Sequence, residues 1–370
     1  MTHGPDTLER LLAEASAAPR ALDLGGLEFL LSLSDPKDIA RLFDAAREVK
    51  LRSCGKGVAV RGLVEAGNVC AKDCLYCGIR KSNAKVSRYS LSQEEIVAAA
   101  EESRRLGYAS LVIQSGEIES EAHTRFVEEV LRRIAPLDLG VTLSLGEQTE
   151  DVYARWRKAG ATRYLLRIET SSRELYARLH PASCSFSRRR ECLDALRRTG
   201  YQVGTGVMCA LPGQTAADLA RDIKFYGEID ADMIGMGPYI PHPDTPLAAT
   251  AGAMAKEERL LAGLKMIAAT RLYLHDVNIA AATALQALAD DGRERGVMAG
   301  ANVIMPNVTD VAHRRDYQLY AGKPCLDEAA AMCRACLDRR LASIGESLLY
   351  GQRGDSPHFA RRARGICLVI

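Results

Sequence analysis

Three cysteines fall within one short loop of this chain: Cys70, Cys74 and Cys77 in VCAKDCLYCG, spaced C-x3-C-x2-C. Thiolates are metal ligands, and this spacing lets a single loop turn all three toward one centre. A structural zinc ion takes four protein ligands, so a zinc reading needs a fourth ligand from a distant segment or a position left open. A cuboidal 4Fe-4S cluster uses three thiolates differently. Each holds one iron, and the remaining iron is left to bind the amino and carboxylate groups of a small ligand. A second set, Cys325, Cys333 and Cys336 in KPCLDEAAAMCRACLDRR, is spaced C-x7-C-x2-C. It reads either as another metal site or as ordinary inward-facing residues, because Cys333 and Cys336 lie three apart on a helical pattern. Cys54, Cys184, Cys192, Cys209 and Cys367 stand apart and read as free thiols without a role.

Elements must hold these residues in place. Residues 1–57 read as a helical lead-in: DTLERLLAEASA, LGGLEFLLSLS and DPKDIARLFDAAREVKLR, the last opened by an Asp35-Pro36 cap and first turn. From Val58 a regular alternation starts, in which a short apolar or β-branched run is followed by a helical pattern. The runs are VAVRGLVEA, SLVIQSGE, GVTLSLG, TRYLLRIE, VGTGVMCALPG, MIGMGPYI, VNIAAATA and GANVIMPN. Eight such β–α units over residues 58–318 predict an α/β fold, a closed (βα)8 TIM-type barrel, although a partial barrel or an open doubly wound sheet gives nearly the same periodicity. Residues 319–370 read as a C-terminal helical extension that carries the second cysteine set and ends in GICLVI, expected to pack onto the body. The first cysteine loop follows the first strand, and a barrel builds its ligand site at the C-terminal ends of its strands.

Composition narrows the partners. Lys plus Arg total 49 against 47 for Asp plus Glu, a net charge of +2 that gives no reason to expect nucleic acid or an anionic membrane. Basic runs such as SRRRECLDALRR read as solvated helix faces, one arginine excepted below. No apolar stretch has membrane-spanning length, and the N-terminus lacks the basic-then-apolar order of a signal peptide, so a soluble, cytoplasmic protein is expected. Eleven cysteines, six of them in two tight groups, point to metal rather than to a disulfide framework.

CAKDCLYC, with an aromatic residue before the third cysteine and a place just after the first strand, resembles the cluster loop of the radical S-adenosylmethionine superfamily. The resemblance implies a 4Fe-4S cluster on Cys70, Cys74 and Cys77 and S-adenosylmethionine as cofactor. It also implies cofactor contacts from Tyr76, from Ser115 and Gly116 in QSGE, and from Arg167 and Glu169 in LLRIET. Glu169 would meet the ribose or the amino end. Arg188 in SFSRRRECL would hold the methionine carboxylate, a match for a bidentate guanidinium, with Arg189 and Arg190 beside it leaving the register open by one position. Without the cysteine loop these residues read as a turn glycine, a helix N-terminal charge and surface arginines.

Longer strings refine the resemblance. CGIRKSN, LLRIETSSRELYARLHP, LPGQT, GPYIPHPDTPL and AGANVIMPN together resemble the FeFe-hydrogenase maturase HydE family over nearly all of residues 40–345, with methylornithine synthase and biotin synthase as the next relatives. Biotin synthase keeps a second cluster on its barrel strands, where this chain offers only Cys209, with Gly204 in place of a ligand. The resemblance implies reductive cleavage of S-adenosylmethionine to a 5′-deoxyadenosyl radical. That radical would attack a small cysteine-bound iron species carrying carbonyl and cyanide, supplied by the maturase HydG, during assembly of the di-iron subcluster. HydF and a low-potential electron donor are further implied partners. Implied substrate contacts are Arg61, Gln114, Tyr317 and Thr283, the last in an internal anion-binding patch where Ala282 replaces a second hydroxyl. A second, peripheral cluster of 2Fe-2S or 4Fe-4S type is implied on Cys325, Cys333 and Cys336, away from the barrel mouth and not needed for catalysis. His180 and His242, each beside proline, read as loop-structuring residues. Three alternatives stay open: an amino-acid mutase resembling methylornithine synthase, a biotin-synthase-like enzyme, and a non-catalytic iron–sulfur carrier or scaffold.

Overall fold

The computed structural model describes residues 5–250, 252 and 254–365. Helices α1 (Pro5–Ala17), α2 (Leu24–Ser32) and α3 (Pro36–Cys54) form the lead-in. The expected cap is present: the Asp35 carboxylate accepts from the backbone N–H of Lys37 and Asp38 at 2.8 and 3.3 Å, with Pro36 in the first turn.

The eight predicted β–α units follow. The first strand is interrupted at Arg61 into β1 (Gly57–Val60) and β2 (Gly62–Gly67), after which come α4 (Gln93–Arg105), β3 (Ser110–Ser115), α5 (Glu121–Ile134), β4 (Gly140–Ser144), α6 (Glu150–Ala159), β5 (Ala161–Leu165), α7 (Arg173–Leu179) and α8 (Phe186–Arg198). The second half has β6 (Gln202–Thr205), β7 (Met208–Cys209), α9 (Ala216–Glu228), β8 (Met233–Ile234), β9 (Gly237–Pro238), α10 (Lys256–Leu274), β10 (Asn278–Ile279), α11 (Thr283–Leu288), α12 (Gly292–Met298), β11 (Val303–Ile304) and α13 (Val311–Arg314). The C-terminal segment adds α14 (Ala330–Ser343), β12 (Ser347–Leu349) and α15 (Pro357–Ala363).

All named pairings are parallel. The main sheet runs β10-β8-β6-β5-β4-β3-β2, and β11 pairs with β1, the other half of the first strand. The ring closes between β10 and β11, where Asn302 donates to the Ile279 carbonyl and Ala281 to the Val303 carbonyl, both at 2.9 Å. A closed barrel leaves no unpaired edge and buries apolar side chains on both faces of its strands. Val64, Leu111, Ile113, Leu143, Tyr164 and Val203 belong to the continuous core between the strands and the helical layer.

The C-terminal segment departs from the all-helical expectation. Because the first strand breaks at Arg61, β1 keeps a free edge on the side where β2 pairs with β3, and β12 fills it, with Gly57 opposite Ser347 and Ala59 opposite Leu349. Three residues are too few to leave a period in the sequence. Cys367 and most of GICLVI, at 366–370, lie outside the described residues, as do residues 1–4. Among the described residues no helix is long and apolar enough to cross a membrane.

An ion cluster docks α15 against the N-terminal ends of the strands. His358 Nε2 lies 2.8 Å from Asp230 and Nδ1 lies 3.2 Å from Asp276, while Arg361 pairs with Asp276, and Arg362 bridges Asp230 and Asp232 at 2.7 and 2.8 Å. Burial lowers the His358 pKa, but the hydrogen bonds and charges of Asp230 and Asp276 prevail over it and over the nearby Arg361 guanidinium, raising the imidazole to about 9. A histidine raised in the folded state contributes stability that is fully present below its unfolded pKa of about 6.5 and is lost as pH rises through the folded value. The protein is therefore expected to lose about 1–3 kcal/mol of stability between pH 6.5 and 9 from this group. In His358→Gln that loss disappears, as thermal unfolding at pH 6 and pH 9.5 will show; an equal pH dependence in variant and wild type would refute the assignment.

Candidate active site

The cysteine loop leaves the end of β2 and is braced from within. Asn68, fully buried, donates from Nδ2 to the carbonyls of Ser87 and Asp316, both at 2.7 Å. The Arg88 guanidinium threads the loop, donating to the carbonyls of Asn68, Ile79 and Arg80 at 2.6–2.8 Å. The segment after β3 presses against the same loop. A Cβ on Gly116 would lie 2.2 Å from the Val69 carbonyl oxygen and 2.8 Å from Cys70 Cβ, so only glycine fits there. The next residue, Glu117, donates its N–H to Cys70 Sγ at 3.3 Å.

Cys70, Cys74 and Cys77 line a cavity of about 650 Å³ whose walls include the residues following β3, β4 and β5. The spacing of the sulfurs fits a cluster better than a mononuclear ion. Tetrahedral zinc draws thiolates to roughly 3.8 Å from one another, given Zn–S bonds near 2.3 Å. Among the described residues, the one group of three or more candidate ligands with all donor atoms within 4.8 Å is Glu117, Glu119 and Glu147, so the cysteine sulfurs are spread more widely. Burial also raises all three thiols, Cys77 to about 12, so the thiolate form is favoured only with a cation beside it, as any metal centre here would supply. The residues present fit a cuboidal cluster held by three thiolates.

A buried set of charges forms the adjoining wall. Lys72, inside the cysteine loop, reaches Glu117, Glu119 and Glu147 at 3.0, 3.4 and 3.5 Å. Arg189 pairs with Glu147 at 2.5 Å and Glu117 at 3.8 Å and donates to the Arg167 carbonyl at 2.8 Å. Burial works to raise Glu147, yet the Arg189 and Lys72 charges overcome it and leave the carboxyl below its usual range, whereas in Glu117 burial wins and the pKa rises. Lys72 and Glu147 carry no signal in the sequence as site residues, and Arg189 enters there only as an alternative register of Arg188.

Of the three consecutive arginines, Arg189 is the one that lines the cavity. Arg188, the expected carboxylate partner, is half-buried and spends its guanidinium on the Gln148 carbonyl at 3.0 Å, while Arg190 pairs with Asp194 and lies over the Phe225 ring. The sequence held a signal for this register. Arg189, Cys192, Leu193 and Leu196, at i, i+3, i+4 and i+7, make the buried stripe of α8.

Glu169 follows β5 with a left-handed φ of 66°, an uncommon conformation for a residue with a Cβ and one that marks stored strain. Its carboxylate is buried, which raises it, and lies 2.9 Å from Arg167 Nη2. Tyr76 donates from its hydroxyl to His180 Nε2 at 3.4 Å, while His180 Nδ1 faces the Tyr176 carbonyl at 2.9 Å, so the histidine orders the loop as expected. His242 likewise accepts from the Asp244 N–H. Ser115 lines the cavity, and its hydroxyl donates to the Gly116 carbonyl at 2.7 Å.

Across the cavity, Gln114 Nε2 donates to the Tyr317 hydroxyl at 3.1 Å, and Thr283 lines the wall. Beside them an unforeseen buried pair, Glu65 with Lys323, closes at 2.5 and 2.6 Å. Arg61 is not part of this cavity. Leu63 and Glu65 point inward to line it, and Arg61, two residues earlier on the same alternation, sits one layer lower, donating to the Gly354 carbonyl at 3.1 Å beside a small void lined by Val112, Thr142 and Met233. The C-terminal cysteines also differ from expectation. Cys325, Cys333 and Cys336 are not remote from the barrel mouth but border the same cavity as the first three, at α14. The Cys333 thiol donates to Cys325 and holds it below the usual thiol range.

Residues 64–226 match the model of the radical SAM superfamily. The chain is 42% identical over 319 residues to the [FeFe] hydrogenase maturase subunit HydE of Thermotoga maritima, covering 86% of this chain and 90% of that protein. It is 28% identical to the 3-methylornithine synthase of Methanosarcina acetivorans over 75% of this chain and 77% of that one. In fold it matches methylornithine synthase (PylB) with a TM-score of 0.79 over 92% of this chain and 98% of that one, at 24% identity. It also matches HydG from Carboxydothermus hydrogenoformans with a TM-score of 0.74, at 19% identity and over 90% and 78%. With its cysteine loop, glycine contact and buried charges gathered at the C-terminal rim of a closed barrel, the chain belongs to the HydE family of radical SAM maturases.

Proposed function

We propose that the protein cleaves S-adenosylmethionine reductively within this cavity and directs the resulting 5′-deoxyadenosyl radical at a small cysteine-bound iron species carrying carbonyl and cyanide, in assembly of the di-iron subcluster of FeFe-hydrogenase. The observation that carries the reading is the common wall shared by Cys70, Cys74, Cys77, Arg189 and the Arg167–Glu169 pair, in a chain 42% identical to a HydE subunit. When bound on the three cysteines, a 4Fe-4S cluster supplies one electron to the sulfonium.

The chain's own residues do the rest. Arg189 is the cavity-lining guanidinium suited to the methionine carboxylate, and the Glu147 and Glu117 carboxylates hold its planar fork in place. Glu169, buried with Arg167, offers a carboxylate to the ribose or the amino group. Gly116 gives the ligand open backbone beside the cysteine loop. Gln114 and Tyr317 face the substrate side, where the surrounding barrel excludes water. HydG as supplier, HydF as a further partner and a low-potential electron donor complete the proposed setting.

Replacing any one of Cys70, Cys74 or Cys77 by Ala is expected to abolish both the 4Fe-4S absorbance and the formation of 5′-deoxyadenosine; a single variant that keeps full cleavage refutes the site. For the cofactor clamp, loss of a charge-assisted pair to the ligand costs about 1.5–3 kcal/mol, so S-adenosylmethionine affinity should fall roughly ten- to hundredfold in Arg189→Ala. Arg189→Lys keeps the buried charge balanced and should recover only part, while Arg188→Ala should stay within about twofold. Titration of the reconstituted variants decides between the two arginines, and a deficit confined to Arg188 reverses the assignment. For the substrate, the purified protein with reductant should consume a synthetic cysteine-bound iron carbonyl cyanide compound and leave lysine unchanged. Rearrangement of lysine would establish the mutase reading instead.

A further inference from the structure

Behind Glu169 stands a buried acid that the proposed chemistry does not use. Asp222, on α9, is fully buried. The cation that acts on it is Arg221 of the same helix, but that guanidinium pairs with Asp218 at 2.9 Å, and the Asp218 charge opposes its effect. Asp222 Oδ1 accepts the Ser171 N–H at 2.5 Å, and Oδ2 is buried without a partner. Ser171 lies two residues past Glu169, and Thr170 between them is fully buried. The carboxyl thus holds the far side of the turn in which Glu169 takes its left-handed φ of 66°. The near side is held by backbone alone: the Glu169 N–H donates to the Gly206 carbonyl at 3.0 Å, and the Met208 N–H to the Glu169 carbonyl at 3.1 Å. Tyr226, one turn along α9, has its hydroxyl buried without a partner and feels the charges of Asp222, Arg167 and Glu169 alike. The acid therefore stands one side chain behind the Arg167–Glu169 pair. An amide oxygen would accept the Ser171 bond without the cost of burying an ionisable group, so the bond alone does not account for an aspartate here.

We infer that Asp222 is a positioning residue for Glu169, anchoring the Glu169–Ser171 turn from behind and adding its charge to the attraction the turn exerts on a cationic ligand. S-adenosylmethionine, with a sulfonium, an ammonium and one carboxylate, is a net cation. Burial raises the Asp222 carboxyl to about 7, against the hydrogen bonds from Ser171. Besides Asp218 and Arg221, the groups that face it are Ser171 after β5, Tyr226 on α9 and Cys209 on β7. The buried face of α2 packed on α9 is apolar, and α10 approaches through Tyr273 at Gly227. Ionisation makes the Ser171 bond charge-assisted and draws a cation, so both effects tighten the cofactor site as pH rises through about 7. Stability moves the other way. An acid raised above its unfolded value of about 3.9 takes up protons on folding, so the folded state loses stability as pH climbs from that value to the folded one. A staple of the fold alone would show only the second trend.

The inference rests on the proposed function for Glu169 as a cofactor contact, and the test separates the two. S-adenosylmethionine is titrated into reconstituted wild-type, Asp222→Asn and Glu169→Gln holoproteins at pH 6 and pH 8.5. Asparagine keeps the acceptor and cannot ionise. Wild type should gain affinity over Asp222→Asn by about threefold or more between the two pH values. Groups common to both proteins, Glu169 and the cofactor's ammonium among them, cancel in that ratio. The difference in melting temperature, Asp222→Asn minus wild type, should grow from pH 5 to pH 8.5. An affinity ratio that stays constant with pH, while Glu169→Gln binds weakly, overturns the positioning role and leaves the proposed function standing. A melting difference that stays constant shows that Asp222 does not ionise in the fold and overturns the inference as well. A Glu169→Gln variant that binds as tightly as wild type defeats the cofactor contact itself, and the inference with it.

Discussion

The site hangs on one buried knot of charge. Lys72 comes from the cysteine loop, Glu117 from the turn after β3, Glu147 from the turn after β4 and Arg189 from α8, and their side chains meet in a region where Arg189, Glu117 and Glu147 are each nearly inaccessible to water. No one of these ions would be tolerated there alone, because the cost of taking it out of water exceeds what a single imperfect partner returns. Together they are mutually compensated, and the compensation works only with all four segments in place. The knot therefore makes the cysteine loop, the glycine turn and α8 interdependent, and it leaves Arg189 rigid on the cavity wall.

The barrel supplies these segments because the C-terminal ends of successive strands converge on one rim. Glu117, Glu147 and Glu169 follow three neighbouring strands, β3, β4 and β5, and each is carried by the loop just past the strand end. The left-handed backbone at Glu169 turns its carboxylate back toward Arg167, and its N–H and carbonyl are fixed by Gly206 and Met208. Such strain persists only where the surroundings impose it, here a buried ion pair on one side and a parallel strand on the other.

Much of this was legible in the sequence, for identifiable reasons. The eight strands announced themselves through β-branched runs, and the cysteine loop through its spacing, both of which are local patterns. Gly116 could be anticipated as a turn, but the contact that forbids a Cβ there comes from a segment almost fifty residues away. The choice among three consecutive arginines turns on the 3.6-residue period, which puts Arg189 on the buried stripe with Cys192, Leu193 and Leu196 and Arg188 beside it, and a guanidinium's chemistry alone does not distinguish them. Arg61 is expected in the cavity from the family resemblance. Barrel interiors, however, are layered, and its layer is lower than that of Leu63 and Glu65. Charge pairs such as Lys323 with Glu65, 258 residues apart, leave no local pattern at all.

The C-terminal segment shows why the last fifty residues cannot be treated as an appendage. β12 completes the edge that the break at Arg61 leaves on β1, Lys323 reaches in to neutralise Glu65 within the barrel, and α14 brings Cys333 and Cys336 to the border of the cavity. Each contact joins the segment to a different layer of the barrel, from the N-terminal rim to the mouth. The segment thus closes one side of the chamber in which the chemistry is proposed to occur. A metal bound to its cysteines would share that chamber's dielectric and would not report an independent surface site.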